Sequence, residues 1–318
     1  MKAPRTDGAI TSADRAATNA RVRQEMKQRS TRKLLAQIAW ATFALGAASQ
    51  LAFAATEGGT IPLTVMSVLM FSATAVLSAA AVGGWRLAVA IFVIGAGLGL
   101  AAEAIGVATG FPFGEYAYTG QLGPAIFGVS ALVLLAWLTL AYPSVVVARR
   151  LTAHFFPSAN GADGPTRAAR AVRIVVAAWA LTAWDVFLDP QMVAAGNWGW
   201  ANPEPSLPGV PGIPITNYLG WFGLSLLMCG LMDWAIDVAR KRWDGRAVGV
   251  PGRSGPDSVP YAVYLWTYFT CVLGNATFFE RPSVAVAGGI AMGVIAIPLV
   301  VVLMRDSRSL LLRRDGIV

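Results

Sequence analysis

The chain has 318 residues, 56% of them hydrophobic and only 13% charged, with a mean hydropathy of +0.57. Soluble domains carry about a quarter charged residues, so this composition excludes an ordinary soluble enzyme and describes an all-α, polytopic membrane bundle. The net charge of +8 does not mark a nucleic-acid binder, because its basic residues are spread among short loops. The single histidine, His154, excludes the histidine-rich iron clusters with which membrane hydroxylases activate oxygen.

Residues 1–33 are polar and basic with no apolar period, and are expected to form a disordered cytoplasmic tail. Ala52-Phe53-Ala54 resembles a signal-cleavage site, but the basic region before it is too long for a signal peptide. The apolar run from Leu34 to Ala55 is therefore expected to be a retained first helix. Seven more runs of spanning length follow: Ile61 to Val82, Leu87 to Thr109, Ala125 to Ala148, Ala171 to Leu188, Leu219 to Val238, Tyr261 to Phe279 and Val284 to Met304. The transmembrane domain thus covers 34–304, and a basic tail, 305–318, closes the chain. Eight passes put 24 of the 25 Lys and Arg on one side and leave Arg281 alone on the other. By the positive-inside rule both termini are cytoplasmic, in a multi-pass protein of the cell membrane. Cys229 and Cys271 fall inside apolar runs and read as small buried hydrophobes. The outward loops, Gly110 to Pro124 and Met192 to Thr216, are rich in Gly, Pro and aromatic residues. They either cap the bundle or form the mouth of a lipid-accessible pocket.

The polar side chains inside the spans converge under this topology. Glu103 sits about 9 Å below the outer end of the third span. Asp185 and Asp189 lie one turn apart on the fifth, Asn217 starts the sixth, and Asn275 sits near the end of the seventh. Carboxylates are costly in hydrocarbon, so three of them in one layer read as a site. Asp233 and Asp237, at the opposite end of the sixth span, are expected to pair with Arg240 and Lys241. Gly95, Gly99, Gly106 and Gly110 share a face with Glu103. They allow close helix packing, and Gly99 and Gly106 could also let a slim apolar molecule approach the backbone.

The stretch from Glu103 through Gly110-Phe111-Pro112-Phe113-Gly114-Glu115-Tyr116 resembles a signature of the bacterial and archaeal carotenoid biosynthesis membrane proteins. This family includes carotenoid 1,2-hydratases of the CruF type. Ala141-Tyr142-Pro143-Ser144, Thr182-Ala183-Trp184-Asp185 with Leu188-Asp189-Pro190-Gln191-Met192, and Asn217-Tyr218-Leu219-Gly220-Trp221 are similar to the same family, in the same order. The resemblance implies an enzyme that adds water across the terminal 1,2 double bond of an acyclic carotenoid held in the bilayer. Such chemistry needs a dry acid and a guided water, but no cofactor and no metal. Glu103, Asp185 and Asp189 are then the candidate acid and base, with Tyr116, Trp184, Asn217, Asn275, Gly99 and Gly106 around the substrate. Aromatic faces such as Trp184 and Tyr116 suit the intermediate cation. The competing expectations are a carotenoid end-group cyclase, a membrane prenyltransferase and, from another class, a proton-coupled transporter.

Overall fold

The computed structural model describes residues 12–56, 60–156, 160–161, 164–242 and 258–314. Among the described residues eight α-helices carry the fold: α1 (Ser12–Ala54), α2 (Ile61–Phe92), α3 (Leu98–Thr109), α4 (Ala131–Phe155), α5 (Arg167–Ala194), α6 (Ile215–Arg242), α7 (Ser258–Leu273) and α8 (Pro282–Arg314). A π-helical turn, Val93–Gly97, joins α2 to α3, and another, Gly274–Phe278, extends α7. Among the described residues six helical stretches are long and apolar enough to cross a membrane: Thr18–Ala54, Ile61–Thr109, Ala131–Phe155, Arg167–Ala194, Ile215–Lys241 and Pro282–Ser307.

The longest of these, Ile61–Thr109, is not one straight rod. Gly84 stands at φ 72° and ψ −178°, outside helical space and in a region open chiefly to glycine. Ser72 Oγ donates to the Leu135 carbonyl (2.8 Å), while Gly95 packs against the Leu138 side chain. In a continuous helix Ser72 and Gly95 would lie about 35 Å apart. Both instead meet neighbouring turns of α4, so the chain folds back at Gly84.

Local chemistry explains most helix ends. Ser130 caps α4 through the Leu132 amide, and Thr166 caps α5 through the Ala169 amide. Gly110, left-handed at φ 75°, closes α3. Pro190 does not unwind α5; the helix continues to Ala194, so Asp185 and Asp189 both sit within it. Helix also runs through residues 12–33, where the absence of an apolar period suggests disorder. That stretch is rich in Ala, Arg, Gln, Met and Lys, which favour helix without needing a buried face. Residues 1–11 lie outside the described ones, and α8 carries the C-terminal segment as helix to Arg314.

The core centres on α4, whose side chains from Trp137 to Ala148 are all enclosed by neighbours. The peripheral helices keep apolar side chains on the outside, including Leu219, Val286 and Ile290. Such an exterior suits lipid, where the helices satisfy their backbones internally. The all-helical expectation misses the short antiparallel strand pairs, four among the described residues, in the connections. In the pair that matters for the site, β1 (Tyr116–Tyr118) lies beside Trp198–Trp200, the sixth strand in chain order.

Candidate active site

One cavity of about 350 Å³ lies between the helices, mostly apolar in lining and within the size range of small-molecule pockets. Glu103, Asp185, Asp189, Asn217, Tyr116 and Trp184 all line it. They come from α3, α5, α6 and β1, and the four acidic and amide side chains are buried to 4% exposure or less.

Each carboxylate is held differently. Glu103 accepts hydrogen bonds on Oε2 from the hydroxyls of Tyr116 and Tyr118, the latter at 2.8 Å. Burial, and then the neighbouring Glu103 charge, push both phenols above the usual tyrosine range, so they keep their protons and donate. Asp185 and Asp189 stand one turn apart within α5. The Asn217 amide donates to both, at 3.3 Å to Asp185 and 2.5 Å to Asp189. The Trp198 indole N–H donates to Asp189 at 3.2 Å.

The strand pair connects these two groups. Its register sets Tyr118 opposite Trp198 and Tyr116 opposite Trp200. Alternation along a strand then turns all four aromatic side chains to one face and leaves Ala117 and Gly199 exposed on the other. Tyr118 and Trp198 meet edge to face with centroids 5.6 Å apart, which links the Glu103 clamp to the aspartate pair. Trp200 fixes the loop by donating to the Phe113 carbonyl at 2.9 Å. Behind the acids, Trp221 stacks on Trp137 (3.6 Å) and Phe113 (4.4 Å), forming an aromatic wall.

The other candidate residues fall outside the cavity lining. Gly106 stands behind it: an added Cβ would come 2.7 Å from Phe113 and 2.9 Å from the Tyr116 hydroxyl. Gly99 makes the same room for Trp137. Asn275 is buried in the second π turn, where its amide donates to the Cys271 carbonyl at 2.9 Å. Tyr118, Trp198, Trp137 and Trp221 belong to the site although residue chemistry alone did not single them out. The signal for the first two was the period-two pattern of Tyr-Ala-Tyr and Trp-Gly-Trp, which reads as strand once noticed. Among the described residues, no three His, Cys, Asp or Glu side chains are placed to share a metal ion.

Asp233 and Asp237 are engaged elsewhere, and across helices. Arg149 of α4 binds both, Arg173 of α5 reaches Asp233 at 3.2 Å, and Arg170 reaches Asp237 at 2.8 Å. The expectation of partners on their own helix missed these pairs, because α4 and α5 bring three arginines to the same end of the bundle.

Fold and site together define a helical membrane protein with a buried, acidic, aromatic-walled cavity. Residues 62–296 match the family described as carotenoid biosynthesis protein, and the chain belongs to that family. It is similar to the bisanhydrobacterioruberin hydratase of Haloarcula japonica, with 30% identity over 140 residues. That match covers 44% of this chain and 43% of the relative, so it spans less than half of either protein. No solved structure matches the chain.

Proposed function

We propose that the protein is a carotenoid 1,2-hydratase, acting on an acyclic end group within the cell membrane. The observation that carries this reading is the placement of three buried carboxyl side chains, with few polar neighbours, in one aromatic-walled cavity. Family membership and the partial likeness to a hydratase support it.

Two buried carboxyl groups that share one amide donor hold a proton between them in this scheme, and the Asp185–Asp189 pair is the proton donor. The proton adds to C2 of the terminal alkene as its π bond breaks, leaving a tertiary cation at C1. Aromatic faces around the cavity stabilise that cation. Water then bonds to C1, and Glu103, oriented by its two phenol donors, takes the proton this water loses. Returning that proton to the aspartate pair completes the cycle, with one water added and nothing oxidised or reduced.

The membrane arrangement is part of the reading. The cavity takes residues from the C-terminal parts of α1, α5 and α7, from the middle of α3 and from the N-terminal parts of α2, α4 and α6. Eight alternating passes, with the Gly84 reversal as one turn, give that pattern, and the charge distribution then sets both termini in the cytoplasm. The membrane domain is 34–304, flanked by the basic segments 1–33 and 305–318.

Expression in a lycopene-producing bacterium grown in ¹⁸O-labelled water tests the reaction. Pigment carrying one labelled oxygen per modified end is the expected result. Unchanged pigment, an isomer of equal mass, an added isoprenoid unit, or oxygen drawn from O₂ each overturns it.

A further inference from the structure

The cavity is not closed on all sides, and its two ends differ. Glu103, Asp185, Asp189 and Asn217 form one end, almost wholly buried. Toward the other end the lining passes to Leu51 and Ala54 of α1 and to Phe269, Leu273 and Thr277 of α7 and its π extension. Those five residues are also exposed on the outside of the bundle, Leu51 at 60%, Phe269 at 56% and Leu273 at 48%. Side chains that line a cavity and also face outward mark its mouth. Four of the five are apolar, so the mouth opens to lipid and not to water. Two contacts tie its walls together: Trp266 donates to the Gln50 side chain at 2.7 Å, and the Phe53 and Phe278 rings meet at 6.0 Å.

The geometry points to a lateral portal between α1 and α7 through which an isoprenoid enters end first. Its end group occupies the acidic end of the cavity while its tail lies in the portal and the surrounding lipid. This inference rests on the hydratase reading for the chemistry of the end group, and it adds how the substrate is selected. A one-mouthed cavity measures the end group and ignores chain length. It also admits one end at a time, so a symmetric carotenoid must leave and turn round before its second end reacts.

The test uses the full-length protein in membranes. A tryptophan placed in the mouth, Ala54→Trp or separately Thr277→Trp, is expected to slow hydration of a long acyclic carotenoid by about tenfold or more. A short acyclic isoprenoid with the same alkene end, small enough to sit wholly inside, should react at nearly the unaltered rate. Two variants on different helices guard against a folding defect in either. Equal slowing of both substrates, or of neither, overturns the portal. A second readout needs no catalysis: a photoreactive diazirine analogue of leucine at position 51 should attach pigment to the protein on irradiation. The same analogue in place of Ile297, exposed on α8, should not. Pigment attached at 51 without hydration would sink the reaction but keep the portal. Hydration without attachment at 51, or a protein that holds no pigment, would sink the portal.

Discussion

Two pairs of aspartates stand four residues apart on neighbouring helices, and they do opposite things. Asp233 and Asp237 on α6 meet Arg149, Arg170 and Arg173, and their charge is met where it stands. Asp185 and Asp189 on α5 meet an asparagine amide and an indole N–H. The nearby Arg281 spends a donor on the Pro190 carbonyl instead, at 2.9 Å. Identical spacing therefore yields an ion-paired clamp at one end of the bundle and, at the other, a cavity-lining pair that the proposed reaction uses. The neighbouring helices, and not the motif, decide which.

The contrast breaks most sharply if the reactive end is made inert. Glu103→Gln, Asp185→Asn and Asp189→Asn should each lower hydration by about 10²–10⁴-fold, the usual range for a lost proton donor or acceptor. Yield of membrane-inserted protein should stay near that of the parent, and a variant that hydrates at full rate removes its residue from the mechanism. The clamp should show the reverse pattern. Arg149→Ala leaves Asp233 short of its closest partner and should destabilise the fold by about 3–5 kcal/mol. Thermal unfolding in detergent reads that loss, while activity per folded molecule stays nearly constant.

Smaller changes sharpen the comparison. Tyr118→Phe removes one of the two phenol donors to Glu103 and should reduce kcat by about tenfold to a hundredfold, since bonds to charged groups contribute ~1.5–3 kcal/mol. An unchanged kcat would show that the clamp on Glu103 is idle. Gly106→Ala forces Phe113 and the Tyr116 hydroxyl aside and should act on the same carboxylate indirectly, at an overpacking cost of about 1–3 kcal/mol. Its expected signature is a fall in kcat together with a lower unfolding temperature. Ser72→Ala, which loses one bond to α4 and lies outside the cavity lining, should cost about 1 kcal/mol of stability and leave the reaction untouched.

Much of this was legible in the residues. The apolar runs announce the helices, because a segment that must satisfy its backbone inside lipid has few other choices. Glu103, Asp185, Asp189 and Asn217 stood out for a related reason: each is costly in hydrocarbon and so needs a purpose. A shared layer was the expectation from counting passes, and these four side chains line one cavity. Tyr118, Trp198, Trp137 and Trp221 gave no such warning, since aromatic residues are ordinary both in cores and at membrane interfaces. The role of Gly106 was equally hidden, because a small residue reads the same whether it admits a helix, a ligand or a tyrosine.

Sequence alone determined that this chain is a helical membrane protein with acidic residues in its spans, because hydrophobic length and the expense of buried charge are local properties. Tertiary structure decided which acids are neutralised and which are left facing a cavity. It also decided that two loops pair as strands to clamp Glu103, and that the cavity opens between α1 and α7. Those outcomes depend on which helix ends lie side by side, and contacts between residues far apart in the chain leave no period or spacing to read.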